Sequence, residues 1–260
     1  MDGPSFCYVQ ARVQSRHGER PGEGAWQALE SARSFSHCLE RARSGNLGRL
    51  TGRIGPADDG HTVELRLREA RRAYVDEVAG WTPRPWRAAV GWCAIWPELP
   101  LLAYLLEGGD AWRWMARDPL LGPLTASAAP DRRERLKDMG WAPLLPTGSG
   151  QQARDIASGW LDHWRQLWPP CADAQRRQLD RLIAVVGRSF GRMAHAEAGS
   201  ASAPLQRDLG DRLSGLFRAA SPGPAAVICH LGLVALDFER LRGALLRRLL
   251  LHDGATTEAA

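Results

Sequence analysis

Apolar residues along this chain recur every third or fourth position. Val63, Leu67, Ala70, Tyr74, Val78 and Trp81 step that way, as do Ile156, Trp160, Trp164 and Leu167. Leu179, Leu182, Val186, Phe190 and Met193 form a third series. The cleanest is Val227, Leu231, Val234, Phe238, Leu241, Leu245 and Leu249. That period places one apolar stripe on a helix. Strict alternation occurs only at 63–68 (Val-Glu-Leu-Arg-Leu-Arg) and merges into a helical series, so the pattern predicts an all-α protein. Trp86 to Glu107 reads as a long helix, and Asp110 to Asp118, after Gly-Gly, as a short one.

Proline and glycine clusters divide the helices. The segment 122–150, with Gly122 to Pro130 and Pro143 to Gly150, reads as a linker with a short helix. It separates an N-terminal helical lobe, 1–121, from a C-terminal one, 151–254. Residues 255–260 read as a tail.

Composition changes the picture little. A chain of 260 residues suits one large domain or two to three small lobes. The net charge is +5, and Lys137 is the single lysine among 34 cations, leaving 33 arginines. Arginine pairs bidentately with carboxylates or phosphates; a genome rich in G and C accounts for the same bias. Five scattered cysteines without C-x-x-C disfavour disulfide and metal frameworks and fit a reducing compartment. No apolar run reaches membrane-spanning length, because Arg247 and Arg248 break Leu245 to Leu251. With no apolar signal core near Asp2, a cytoplasmic protein is expected. Nine of the eleven tryptophans cluster at 81–114 and 160–168; their helical spacing in the second cluster favours core packing over base stacking or lipid anchoring.

Chemical motifs are thin. Gly187-Arg-Ser189-Phe-Gly191 matches the G-x-S-x-G elbow of serine hydrolases, with Asp208 or Asp237 and His230 or His252 downstream. The helical spacing on both sides of Ser189 argues against an elbow, and no oxyanion segment accompanies it. The glycine loops at Gly22–Gly24 and Gly148–Gly150 complete no nucleotide-binding motif. Seven histidines form no metal-binding spacing, and no continuous basic stripe for nucleic acid is visible. No cofactor is expected.

The two ends carry the most specific signal. Tyr8-Val-Gln-Ala-Arg12-Val-Gln-Ser-Arg16 puts Tyr8, Arg12 and Arg16 on one helix face. Trp26 to Phe35 and a short helix at Asn46 to Arg53 follow, then the long helix to Tyr74. Leu233-Val-Ala-Leu-Asp237-Phe-Glu239 opens an acidic stretch, followed by arginines at 242, 247 and 248. Together these resemble the opening and closing helices of the C/d family of central-stalk subunits in archaeal and vacuolar-type (A/V-type) rotary ATPases. In place of that family's usual arginine–asparagine pair, Arg240-Leu-Arg242-Gly stands here. The resemblance implies helical lobes arranged as a funnel-like shell, with the first and last helices packed together. It implies a non-catalytic central-stalk component, peripheral on the cytoplasmic face of a bacterial inner membrane. Its partners would be the shaft subunits and the proteolipid rotor ring, with no membrane span and no nucleic acid. Arg84, Arg87, Arg242 and Arg247 are the candidate interface cations, since they flank tryptophan-rich or closing-helix surfaces. The alternatives are a stand-alone helical interaction protein and a serine hydrolase using Ser189.

Overall fold

The computed structural model describes residues 6–145, 152–195, 202–220 and 222–257. Among them the fold is all-α, as the periodicity predicts, and no strand occurs. The first helices are α1 (Phe6–Gly18), α2 (Glu23–Glu30), α3 (Phe35–Ser44), α4 (Gly48–Thr51) and α5 (Gly60–Trp81). Then come α6 (Arg87–Gly91), α7 (Leu99–Leu106), α8 (Gly122–Thr125) and α9 (Arg132–Asp138). The chain closes with α10 (Gln152–Gln166), α11 (Asp173–His195), α12 (Ser202–Ala219) and α13 (Pro224–Thr257). Local chemistry sets several starts: the Ser34 hydroxyl accepts the His37 amide at 3.2 Å, and Asp59 accepts the Thr62 amide at 2.8 Å.

Two apolar cores form. The larger joins α1, the second half of α5, residues 86–144, α10 to α12 and the first turns of α13. The smaller joins α2, α3, α4, the first half of α5 and α13 beyond Phe238. Thus α5 and α13, which pack on each other, run through both. The 34 residues of α13 span about 50 Å at the helical rise, long enough for that.

Four expectations need correction. The described part of the expected linker, residues 122–145, is packed into the larger core, where Leu124, Leu136 and Leu144 are buried. Gly159 on α10 lies against this segment so closely that a Cβ there would sit 2.3 Å from the Pro143 carbonyl oxygen. The long helix expected at 86–107 is instead a string of short α and 3-10 pieces. Pro97 lies inside one of them, Trp92–Glu98, where its missing N–H breaks the i to i−4 ladder. By length and composition Arg84–Leu106 also qualifies as a membrane span, against expectation, yet most of it is turned into the core. Finally, α13 continues as helix to Thr257, into the stretch expected to be a tail.

The tryptophans of the second cluster are core residues, as their spacing suggests. Trp160 and Trp164 stack at 5.5 Å, and Trp164 meets Trp168 edge-on at 5.2 Å. Trp164 donates its indole N–H to the Ala89 carbonyl at 3.0 Å. Trp92 and Trp160 exchange indole-to-carbonyl bonds at 3.2 and 3.3 Å, so α10 is tied to residues 89–92 by polar as well as apolar contact.

Candidate functional site

Helix α1 lies against α13 and α5, which brings the two ends of the chain together. Val9 and Val13 fill the larger core, and the adjoining side of the helix carries the predicted ladder. Arg12 donates to the Tyr8 hydroxyl at 2.6 Å, and its guanidinium lies 4.1 Å from the Trp81 ring centroid. Arg16 reaches the same ring at 5.9 Å and pairs with Glu19 at 3.2 Å. Tyr8 remains 48% exposed.

Past α1, Arg20 grips Asp237 of α13 with two bonds, 2.6 and 2.9 Å. A planar guanidinium facing a carboxylate in this way fixes the relative position of both elements. Burial raises the Asp237 pKa, and the Arg20 bond and charge only partly offset it. Two turns earlier on α13, the buried His230 Nε2 lies 2.7 Å from the Tyr74 hydroxyl. Burial, then the charges of His17, Arg20 and Arg16, push the His230 pKa down to about 3. The ring is therefore neutral, and its Nε2 shares a hydrogen bond with the Tyr74 hydroxyl whose direction depends on the tautomer. Burial likewise lowers His17, helped by Arg20 and Arg218; its ring stacks on Phe217 at 4.1 Å.

A second polar group sits where the two cores meet. Glu98 is 0% exposed and receives Arg71 at 2.8 Å, Arg72 at 3.4 Å and also Arg68. Arg68 bonds Glu64 one turn back at 2.7 Å, and Arg72 pairs with the buried Asp118 at 2.6 Å. Arg242 of α13 closes the group, at 2.7 Å from Glu64 and 3.2 Å from Glu239. The guanidinium groups of Arg68, Arg71, Arg72 and Arg242 balance the carboxylates of Glu64, Glu98, Asp118 and Glu239, which is what buried charge requires. Burial opposes the charge on Arg68, but Glu98 and Glu64 outweigh it and raise its pKa. Burial raises Glu239, partly countered by Arg242 and Arg68. Arg68 also lies 4.8 Å from the Trp114 ring, and Phe238 packs under Arg68 and Arg71 at 5.8 and 5.5 Å.

Sequence reasoning missed this group, although a signal exists. Glu64, Arg68 and Arg71 keep helical spacing immediately beside Val63, Leu67 and Tyr74, so charges share the buried face of α5. Next to the group is a cleft of about 350 Å³ lined by Trp96, Leu99, Phe190, Leu209 and Leu236, with Glu239 and Arg242 on its wall.

Of the four candidate interface cations, Arg84, Arg87 and Arg247 are exposed. Arg87 also donates to the Gly80 and Thr82 carbonyls at the end of α5, both at 3.3 Å. Arg242 is engaged inside the ionic group. Arg248, next to Arg247 and buried, donates to the carbonyls of Leu29, Glu30 and Ala32, and so caps the C-terminal end of α2. Ser189 lies within α11, 5% exposed, its hydroxyl donating to the Val185 carbonyl at 3.1 Å. A nucleophile elbow needs a sharp strand-to-helix turn, and none is present there. Cys93 and Cys229 are buried thiols, each pushed up by burial to about 12, which makes them poor nucleophiles. No group of three or more metal-ligating side chains forms among the described residues. The Gly148–Gly150 loop and the side chain of His252 lie outside them.

Comparison with family models, curated proteins and solved structures finds no match.

Proposed function

We propose that this protein is a non-catalytic coupling component of a V/A-type rotary ATPase. In this reading it is a helical socket between the central shaft and the membrane rotor ring. The observation that carries the reading is the closure of the two ends. The family resemblance lies in roughly the first eighty and last thirty residues. In the fold these are the stretches that meet, through Val9 and Val13 of α1 and through the Arg20–Asp237 clasp. A socket that transmits torque must resist shear, and packed helices joined by bidentate ion pairs do so. Arg84, Arg87 and Arg247 stay exposed, where acids on partner subunits can reach them. Each such surface pair contributes little, so the docking faces must also bury apolar area. In this reading the two cores are the walls of the family's funnel-like shell, and the complex sits on the cytoplasmic face of the membrane.

The test is copurification. Tagged full-length protein expressed in its native host and recovered from detergent-solubilised membranes should bring down proteolipid ring, shaft and catalytic subunits. Asp237→Ala should reduce that yield. Recovery of intact bait without any of these subunits would overturn the proposal and favour a stand-alone interaction protein.

A further inference from the structure

The outer face of α11 carries a row of arginines that the fold leaves without ionic partners. Arg177, Arg181 and Arg188 are exposed, and among the described residues none of the three makes an ion pair or hydrogen bond. Arg192 continues the row and pairs with Asp208 of α12 at 2.7 Å. The spacings from Arg177 to Arg192 are 4, 7 and 4 residues, so all four lie along one side of the helix over about 22 Å. The buried side is formed by Leu179, Leu182, Val185 and Val186.

Some surface arginines elsewhere are neutralised within the chain. Arg165 meets Asp180, Arg212 meets Asp208, and Arg240 meets Glu23 and Glu30. On α11 itself no acid follows Asp180. What distinguishes α11 is that three unpaired charges, Arg177, Arg181 and Arg188, share one face of a single helix. The surface between the cations is low: Ala184, in the middle of the row, is exposed and small.

We propose that the outer face of α11 is a docking site for an acidic helix of a partner protein. Charge complementarity names the chemistry: glutamates or aspartates spaced three and four apart on the partner match the arginine row. Arginine forks hold carboxylates bidentately, and Ala184 leaves room for another helix to come close. A row one arginine wide suits a second rod better than a flat lipid surface, which meets charges in any register. It also lacks the aromatic platform on which single-stranded nucleic acid stacks. This inference does not depend on the rotary reading.

The experiment uses the full chain and a synthetic helical peptide whose glutamates repeat the 4, 7, 4 spacing of the arginine row. A second peptide of the same composition has its glutamates scattered around the helix. The register peptide should bind, weaken steeply with salt, and lose roughly tenfold or more in affinity for Arg177→Ala/Arg181→Ala/Arg188→Ala, as three lost charge pairs imply. Circular dichroism checks that the variant remains folded. Arg113→Ala/Arg117→Ala, which removes exposed arginines elsewhere, should bind normally. Equal binding by the triple variant would overturn the proposal. So would equal binding of the scattered peptide, or tighter binding of phosphatidylserine vesicles or a DNA duplex.

Discussion

The two cores are built differently. The larger is aromatic: tryptophans from α10 fill it, and the first turns of α13 enter it buried around the whole helix, from Ala225 to Leu231. The smaller is mostly aliphatic and one-sided. There the apolar side of α13 is Phe238, Leu241, Ala244 and Leu245, and arginines beside it reach out to clamp short helices. Arg240 holds Glu23 and Glu30 and covers Trp26 at 4.8 Å; Arg248 caps α2. One helix thus serves as a hydrophobic core element at one end and as a polar clasp at the other. The change falls at 237–242, where the ionic group sits. The lesson is that short helices with little apolar area of their own are fixed by arginines reaching their carbonyls and carboxylates.

The strongest way to break this arrangement is at the joint. Glu98→Ala leaves Arg68, Arg71 and Arg72 without their shared acceptor in a dry site. The expected loss is about 3–5 kcal/mol in urea unfolding, with both cores weakened together. A loss under about 1 kcal/mol would mean the joint carries no stability. The cores themselves are separated by Leu102→Ala in the larger and Leu39→Ala in the smaller, both at fully packed sites. Each should cost about 2–5 kcal/mol where it acts. Hydrogen exchange should distinguish them. Leu102→Ala lowers protection throughout, whereas Leu39→Ala lowers it in α2 to α4 and the first turns of α5, which open as a unit.

Much of this is legible in the sequence. Apolar period finds the helices α5, α10, α11 and α13, because each presents a continuous stripe. It misreads 86–107, where prolines and tryptophans pack without a period and the chain alternates between short 3-10 and α-helical pieces. It reads 122–150 as a linker because Leu124, Leu136 and Leu144, scattered among prolines and glycines, leave no stripe to detect. The charged joint is hidden for another reason. Glu64, Arg68 and Arg71 look like a solvated face until Glu98, far along the chain, is known to sit opposite. By contrast Arg20–Asp237 joins two stretches that the family resemblance already pairs.

A smaller effect distinguishes the histidine side of the α1–α13 contact from its carboxylate side. His230 is held neutral, so the unfolded chain binds a proton there below about pH 6.5 that the folded chain refuses. Stability must then fall as pH drops from about 6.5 toward about 4.5, by up to about 2–3 kcal/mol for this group. His17 adds in the same direction. The facing charges are Arg16 and Arg20, which reinforce the effect, with Tyr74 as hydrogen-bond partner. Asp237 and Glu239 act oppositely: their raised pKa values make folding more favourable as pH falls through them. In His230→Leu the acid slope of urea stability should flatten, whatever the absolute cost of losing the Tyr74 bond. An unchanged slope would place the titration elsewhere.

The least effect is expected at the most chemical-looking residue. Ser189 sits on α11 in the larger core, and its hydroxyl returns to the Val185 carbonyl, a bond that a mid-helix serine makes when no better partner is near. The carbonyl already serves the helix ladder, so removing the hydroxyl leaves no acceptor stranded. Ser189→Ala also gains helix propensity. The two terms oppose each other, and the stability change should stay within about 0.5 kcal/mol. Hydrolysis of p-nitrophenyl acetate or butyrate should match between the two proteins after correction for the uncatalysed rate. A turnover that disappears in Ser189→Ala would require the hydroxyl to leave Val185 and the helix to open around it. That result would replace the mechanical reading of the larger core with a catalytic one.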